Sequence, residues 1–206
     1  MLILGISSAD RPIEAALIDG EKTLAEIEVA STEELVVAVG ELFKKSGRTK
    51  SELSAAAVTE GPGSYSGLRG GIAVAKGLAQ GLGVPAVGIS TLDAVAVDSS
   101  IGDELAVVSM PARGGELNAA VFSGTGSLRR MTEDFVVESG KLEEVVSRIS
   151  GRARLVSGVK PRASAVARLA AAKLKGGCCG DPLALAPVYS HSPNIREFNG
   201  DKVRKL

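Results

Sequence analysis

The sequence has little of the chemistry that metal and redox sites require. Its 206 residues include one histidine, His191, and two cysteines, Cys178 and Cys179. A zinc site needs several histidine, cysteine or carboxylate ligands together, so a single histidine near the end of the chain indicates a structural or solvated residue. Adjacent cysteines rarely form a disulfide because the geometry is strained, and two reduced thiols are typical of a cytoplasmic protein. We therefore predict no metal site and a cytoplasmic location.

The chain also lacks net charge and long apolar runs. Twenty-four basic residues balance 24 acidic ones, so no overall field attracts nucleic acid or an anionic membrane. A protein that binds RNA alone usually has a basic face, and we expect any contact with RNA to be shared with a partner. No apolar stretch reaches the length of about 18 residues that a membrane span needs. The apolar start, Met1–Ile6, has no basic region before it and no cleavage site after it, and it predicts a buried strand instead of a signal peptide.

The first hundred residues alternate between strand and helix patterns and predict one domain over residues 1–100. Asp19-Gly20 is a tight hairpin signal, and Ser31 and Glu34 form a capping box before the first helix. Three antiparallel strands followed by two strand–helix units predict a mixed sheet with helices packed on it. The predicted strands are Leu2–Ser7, Glu14–Ile18, Thr23–Ala30, Ser54–Thr59 and Pro85–Ile89. The first predicted helix begins at Ser31 and ends just before Gly47, and the other two are Ser66–Leu82 and Thr91–Val97.

A polar segment, Asp98–Asp103, marks the boundary to a second, smaller domain predicted over residues 101–206. Its element order resembles a degraded copy of the first half. The tail, Asn194–Leu206, is polar, and we expect it to be mobile and its basic cluster of Lys202, Arg204 and Lys205 to be solvated. The predicted strands are Leu105–Met110, Leu117–Phe122, Ser127–Thr132 and Ala153–Ser157, and the predicted helices are Leu142–Ile149 and Ala163–Leu174.

A glycine-rich loop, GPGSYSGLRGG, runs from Gly61 to Gly71 between a strand and a helix. It is not a hydrolase elbow, because Tyr65 stands where that motif has serine. It is not a P-loop, because Lys76 lies about two turns into the helix. A dinucleotide fingerprint fits poorly, since its glycine spacing is one residue too long. Helix N-termini can hold phosphate, so the loop is a candidate anion site, although a sharp turn alone explains the glycines better. The candidate anion-binding residues are Gly61, Gly63, Ser64 and Ser66.

The predicted second helix contains five glycines, and each costs about 1 kcal/mol relative to alanine in a helix interior. Small residues allow another backbone to approach closely, so a compensating contact is expected. The preceding helix likewise carries more apolar surface than one sheet face needs. We predict that the two helices form a partner interface; the alternative is that the chain's own second domain covers them. The predicted interface residues are Leu35, Val36, Val39, Leu42, Phe43, Gly67, Gly70, Gly71, Val74, Leu78 and Gly81.

The segment from Val58 to Ala96, VTEGPGSYSGLRGGIAVAKGLAQGLGVPAVGISTLDAVA, closely resembles the signature region of the TsaB family, also called YeaZ. The opening LILGISSADRPIEAALIDG and the late DPLALAPVYSH resemble the ends of that family. The resemblance implies an α/β fold of the actin/Hsp70/sugar-kinase (ASKHA) class, with two domains that each carry a mixed β-sheet and packed helices.

The resemblance also implies a function. TsaB proteins are non-catalytic partners of TsaD, which transfers threonylcarbamoyl to adenosine in tRNAs that read codons starting with A, and TsaE, an ATPase, joins the same assembly. The expected partners are therefore a TsaD-like catalytic subunit, a TsaE-like ATPase, tRNA mainly through the complex, and a second copy of the chain when the TsaD-like subunit is absent. The family's subunit contacts use the two helices singled out above.

Two departures from the family weaken any catalytic role. Ser7 stands where members commonly carry an aspartate, and Ser31-Thr32-Glu33 stands where many carry His-Ser-Glu. We therefore predict no catalytic residues, no cofactor and no glycoprotease activity. The alternatives are a nucleotide-dependent phosphotransferase of the same fold and a dinucleotide-binding module, each supported by the glycine loop alone.

Overall fold

The computed structural model of the chain describes residues 1–99, 101–124, 128–149 and 153–191. The strands within these ranges are β1 (Leu2–Ser7), β2 (Ile13–Asp19), β3 (Lys22–Val29), β4 (Leu53–Gly61), β5 (Ala86–Ser90), β6 (Leu105–Pro111), β7 (Glu116–Ser123), β8 (Arg129–Arg130), β9 (Phe135–Glu138) and β10 (Arg154–Val156). The α-helices are α1 (Thr32–Ser46), α2 (Tyr65–Leu82), α3 (Thr91–Asp98), α4 (Leu142–Ile149) and α5 (Ala163–Lys175). None of these helices is long and apolar enough to cross a bilayer.

The first sheet has the strand order β3-β2-β1-β4-β5. Its first three strands pair antiparallel, and β4 is parallel to both β1 and β5, which confirms the predicted meander and crossovers. Successive side chains of a strand point to opposite faces. Leu2, Leu4 and Ile6 accordingly pack with α1 and α2, whereas Ile3 packs on the other face with α5. Because helices cover both faces, β1 is buried along its whole length.

The second sheet has the order β10-β6-β7-β8, and β9 also pairs with β7. Helix α3 packs on one face of this sheet and α4 on the other. The sequence did not predict β9, and only Arg129–Arg130 of the predicted strand Ser127–Thr132 pairs in the sheet; Ser127 lies outside the described residues. The capping box also differs, because the Ser31 side chain accepts no backbone hydrogen bond and instead donates to Glu34 Oε1 at 3.4 Å.

Helix α5 lies on the first sheet and not in the second domain, where the sequence analysis placed it. Ala165, Val166 and Ala170 are buried against the face that carries Ile3. The close approach requires Gly5 of β1, since a Cβ there would collide with the backbone of Ala163. The predicted range 101–206 therefore does not pack as one unit, because α5 returns to the first sheet.

The segment Gly180–His191, here called the C-terminal strap, also packs on the first domain. Its start pairs with the free edge of β5, where the Ala86 N–H donates to the Gly180 carbonyl at 2.8 Å. Leu185 is buried in the core shared with α1 and α2, and Lys76 Nζ donates to its carbonyl at 3.1 Å. The predicted mobile tail Asn194–Leu206, with its basic cluster, lies outside the described residues.

Candidate partner-binding surface and glycine loop

Helix α2 begins at Tyr65, one residue before its predicted start, and ends at the predicted Leu82. The Ser64 side chain is the N-cap and accepts a hydrogen bond from the Gly67 N–H at 3.4 Å. Gly83 stops the helix in a left-handed conformation with φ of 66°, which glycine adopts without strain. These two signals place the glycine loop at the N-terminus of α2 and the small-residue stripe along its length.

The glycine loop is packed by the chain's own backbone. Gly61 and Gly63 have φ of 140° and 157°, a region that side chains disfavour. A Cβ on Gly61 would collide with the Val188 carbonyl of the strap, and a Cβ on Gly63 would collide with Ala9. The Ser64 N–H, a candidate anion donor, is already hydrogen-bonded to the Ala9 carbonyl at 2.8 Å. Close packing accounts for both glycines, and an anion site at Gly61, Gly63, Ser64 and the exposed Ser66 stays a prediction.

The N-terminal half of α2 uses its glycines for contacts within the chain. A Cβ on Gly67 would collide with the Ser8 carbonyl, and one on Gly71 with the Ser8 side chain. A Cβ on Gly70 would collide with Thr32 of α1. Gly67 and Gly71 are buried, so no partner can reach them, and the interface prediction is wrong for these two positions.

The C-terminal half of α2 is different. A Cβ on Gly77 or Gly81 would meet nothing within 4 Å, so no neighbouring atoms explain these two glycines. Val74 and Leu78 are half-buried, because they pack against the core of the first sheet. This part of the helix keeps an open outer side.

Helix α1 also presents a buried face and an open face. The predicted interface residues Leu35, Val39, Leu42 and Phe43 are buried in the core of the first sheet, and the interface prediction is wrong for them as well. Periodicity identified a common apolar face but could not show that the sheet itself occupies it. The exposed apolar residues of this helix are Val36 and Val37, with 61% and 70% of their surface accessible.

We group the exposed and half-buried residues on the outer sides of these two helices as the α1–α2 surface: Val36, Val37, Val74, Gly77, Leu78 and Gly81. Thr32 of α1 contacts α2 at Gly70. Residues four apart lie on the same helix face, so Val36 follows Thr32 and Val74 follows Gly70 along the two facing stripes. Both helices follow strands that point in the same direction, and the stripes therefore run side by side.

The family resemblance implies an aspartate at Ser7 and a histidine at the start of α1. In this chain, the residues at both places contact other parts of the chain. Ser7 is buried, and its Oγ donates to the Pro161 carbonyl at 2.5 Å. Thr32, within Ser31-Thr32-Glu33, fills the space beside Gly70. Within the described ranges, no three histidine, cysteine, aspartate or glutamate side chains come together as a metal-binding group. The predicted absence of a metal and a cofactor stays a prediction.

The single histidine and the two cysteines, for which the sequence predicted no metal or redox role, lie near the C-terminal end of the described residues. His191 Nε2 is 2.8 Å from Glu116 Oε2, so the strap also contacts the second domain. Cys178 and Cys179 are exposed free thiols between α5 and the strap.

Comparison with known proteins identifies the family. The family model described as "TsaD: tRNA N6-adenosine threonylcarbamoyltransferase" matches residues 26–160, which is more than half of the chain. The protein TsaB of Escherichia coli is 35% identical over 95 residues, which cover 45% of this chain and 41% of that protein. The chain belongs to the TsaB (YeaZ) family. The TsaB protein of Bacillus subtilis is 28% identical over 139 residues, covering 65% of this chain and 61% of that protein.

The TsaB (YeaZ) fold extends over nearly the whole chain. The structure of YeaZ from Pseudomonas aeruginosa superposes with a TM-score of 0.77 at 22% identity, covering 91% of this chain and 99% of that one. The predicted fold class is confirmed: two mixed sheets with packed helices, of the actin/Hsp70/sugar-kinase type. In sequence, the matches span about half the length of the two TsaB relatives, and a TsaD relative from Paracoccus denitrificans, 36% identical over 103 residues, is matched over 29% of its length and 46% of this chain.

Proposed function

We propose that the chain is a non-catalytic subunit of a complex that makes N6-threonylcarbamoyladenosine in tRNA. The names of its TsaB relatives support the pathway. In this proposal the α1–α2 surface docks on a TsaD-like catalytic subunit, and a TsaE-like ATPase joins the same complex. Contact with tRNAs that read codons starting with A is made mainly through the complex, since the chain has no net charge.

The exposed valine pair on α1 is the observation that carries the proposal. Val36 and Val37 are more than half exposed in the second turn of α1. On the neighbouring helix α2, Gly77 and Gly81 leave open space further along. Apolar surface of this kind favours association, and glycines allow a partner's backbone to approach. The same surface would pair two copies of the chain when the TsaD-like subunit is absent, because an apolar patch can pair with its own copy across a two-fold axis.

Two side chains support a subunit without chemistry of its own. Ser7 replaces the aspartate that the resemblance leads one to expect, and its hydroxyl is committed to the Pro161 carbonyl. Ser31 replaces the expected histidine at the start of α1.

A charge on α1 tests the docking surface. We expect Val37→Arg to weaken binding to the TsaD-like subunit of the same host by about tenfold or more, because a guanidinium would be buried in an apolar contact. The change should also slow threonylcarbamoyladenosine formation in a reconstituted complex. Calorimetry measures the affinity, and thermal melting reports whether the fold is intact.

Val159→Arg is the matched control, since this valine is 39% exposed and lies outside the α1–α2 surface. It should bind the TsaD-like subunit as the unmodified chain does. If Val37→Arg retains full affinity while folding normally, the docking surface is wrong. If omitting the unmodified chain from the reconstituted reaction leaves nucleoside formation unchanged, the proposed function fails.

A further inference from the structure

A cleft of about 340 Å³ lies between the two domains, where β4 ends at Gly61 and β5 ends at Ser90. In α/β sheets, ligands bind outside the carboxyl ends of parallel strands, and this volume is at the lower end of the range for small-molecule sites. The charged residues of its wall are Glu60, Asp93, Arg130, Glu133, Asp134 and Lys173.

The arginine of this cleft is already committed. Arg130 Nε donates to Asp93 Oδ1 at 2.8 Å and its Nη2 donates to Ser90 Oγ at 2.8 Å. Its Nη1 donates to Asp134 Oδ1 at 2.5 Å. Two carboxylates and a hydroxyl therefore engage this guanidinium and fix it as a link between β8 and the start of α3. Since carboxylates occupy this guanidinium, the cleft is poorly suited to a phosphate or another anion.

Glu60 is a carboxylate of the cleft that accepts no hydrogen bond from the described residues. Its half-buried carboxylate lies over Gly88, where a Cβ would collide with it. Burial raises the pKa of Glu60, while the charge of Lys173 lowers it and that of Asp93 raises it further. Lys173 Nζ is held by the Gly88 carbonyl at 2.9 Å and forms no ion pair with Glu60.

The balance of charge also favours a cation. Four carboxylates and two cationic groups line the cleft, so its net charge is negative. A half-buried carboxylate is costly unless a donor or an opposite charge compensates it, and a charge-assisted hydrogen bond is the strongest such compensation.

We propose that the interdomain cleft binds a compact cation with N–H donors, a primary ammonium or a guanidinium, which Glu60 accepts. The group comes either from a free small amine or from a lysine or arginine side chain of a protein segment. The positive charge of Lys173 competes with this cation for the negative charge of Glu60, and it therefore lowers the affinity of the cleft for the cation.

Titration with agmatine, which carries both groups, tests the proposal by NMR. We expect saturable shifts of the Gly61 and Gly88 amides at millimolar agmatine. Tetramethylammonium has the same charge as an ammonium but no N–H donor, and it should produce no such shifts. Glu60→Gln should weaken agmatine binding by about tenfold or more, whereas Lys173→Gln should strengthen it, because a competing positive charge is removed.

Three results would overturn the proposal: no saturable shift, equal shifts with tetramethylammonium, or unchanged agmatine affinity in folded Glu60→Gln. Glu60→Asp, which keeps the charge but shortens its reach, provides the same comparison if Glu60→Gln does not fold. A capped lysine tripeptide identifies the source, since binding as tight as agmatine's supports a protein side chain and weaker binding supports a free amine. None of these readouts depends on tRNA modification, so failure here leaves the proposed function untouched.

Discussion

The two halves of helix α2 carry the same residue type for different reasons. In the N-terminal half, Gly67, Gly70 and Gly71 are needed because Ser8 and Thr32 of the same chain occupy the space where a Cβ would lie. In the C-terminal half, Gly77 and Gly81 have no atoms to avoid. A helical glycine costs stability; folding explains that cost at the first three positions and leaves it unexplained at the last two.

This difference separates a folding constraint from a candidate interface. Glycines fixed by the chain's own packing give no information about partners. Gly77 and Gly81, which open onto a free surface, are the glycines that an association would explain.

The largest effect is expected in the N-terminal half of α2, which other residues of the chain cover. Gly67→Ala should lower the free energy of unfolding by about 2–3 kcal/mol, because its Cβ would press on the backbone carbonyl of Ser8, which cannot rotate away. Urea denaturation measures the change. Gly77→Ala is the control in the same helix, and equal destabilisation by both substitutions would break the comparison.

Most of the local structure could be predicted from the sequence. Strand β1 and helix α4 have their predicted bounds, because their periodicity is a local property. The antiparallel meander and the parallel pairings of the first sheet also followed from the hairpin at Asp19-Gly20 and the strand–helix alternation. The return of α5 could not be predicted, since an alanine-rich helix suits either sheet and the deciding contact is with Gly5, far away in the chain.

The candidate site was predicted less well, for the same reason. The sequence named helices α1 and α2 as the interface, which stays a prediction, but Leu35, Leu42 and Gly71 lie in the core. The groups that fill the space beside the glycines, Ser8 and Val188, are distant in sequence and have no local signal. The exposed Val37 could have been found, because it lies off the stripe that α1 buries.

In the open C-terminal half of α2, we expect a smaller change in the free energy of unfolding, with the opposite sign. Gly77→Ala and Gly81→Ala should each raise the free energy of unfolding by up to about 1 kcal/mol, since alanine favours the helix and a Cβ has room. If a partner's backbone approaches this surface, the same substitutions should weaken binding to the TsaD-like subunit several-fold. Thermal melting and calorimetry on one set of variants measure both quantities. More stable variants that bind with undiminished affinity would show that close approach is not the reason for these glycines.

The smallest effect concerns Glu60, which immediately precedes the glycine loop and whose carbonyl accepts the Val188 N–H of the strap at 2.7 Å. Burial raises the pKa of its carboxyl, so the folded chain binds a proton more readily than the unfolded chain does. Stability from this group therefore falls as the pH rises through the window between the ordinary glutamate pKa and the raised one. Glu60→Gln should melt at a higher temperature than the unmodified chain at neutral pH, and the difference should shrink as the pH falls below this window. Glu143→Gln, on the exposed side of α4, is the control for removing one carboxylate elsewhere in the chain. A difference in melting temperature between Glu60→Gln and the unmodified chain that instead stays constant from neutral to acidic pH would contradict this expectation. That result would mean that the Glu60 carboxylate is well solvated and that the strap covers the backbone of this residue but not its side chain.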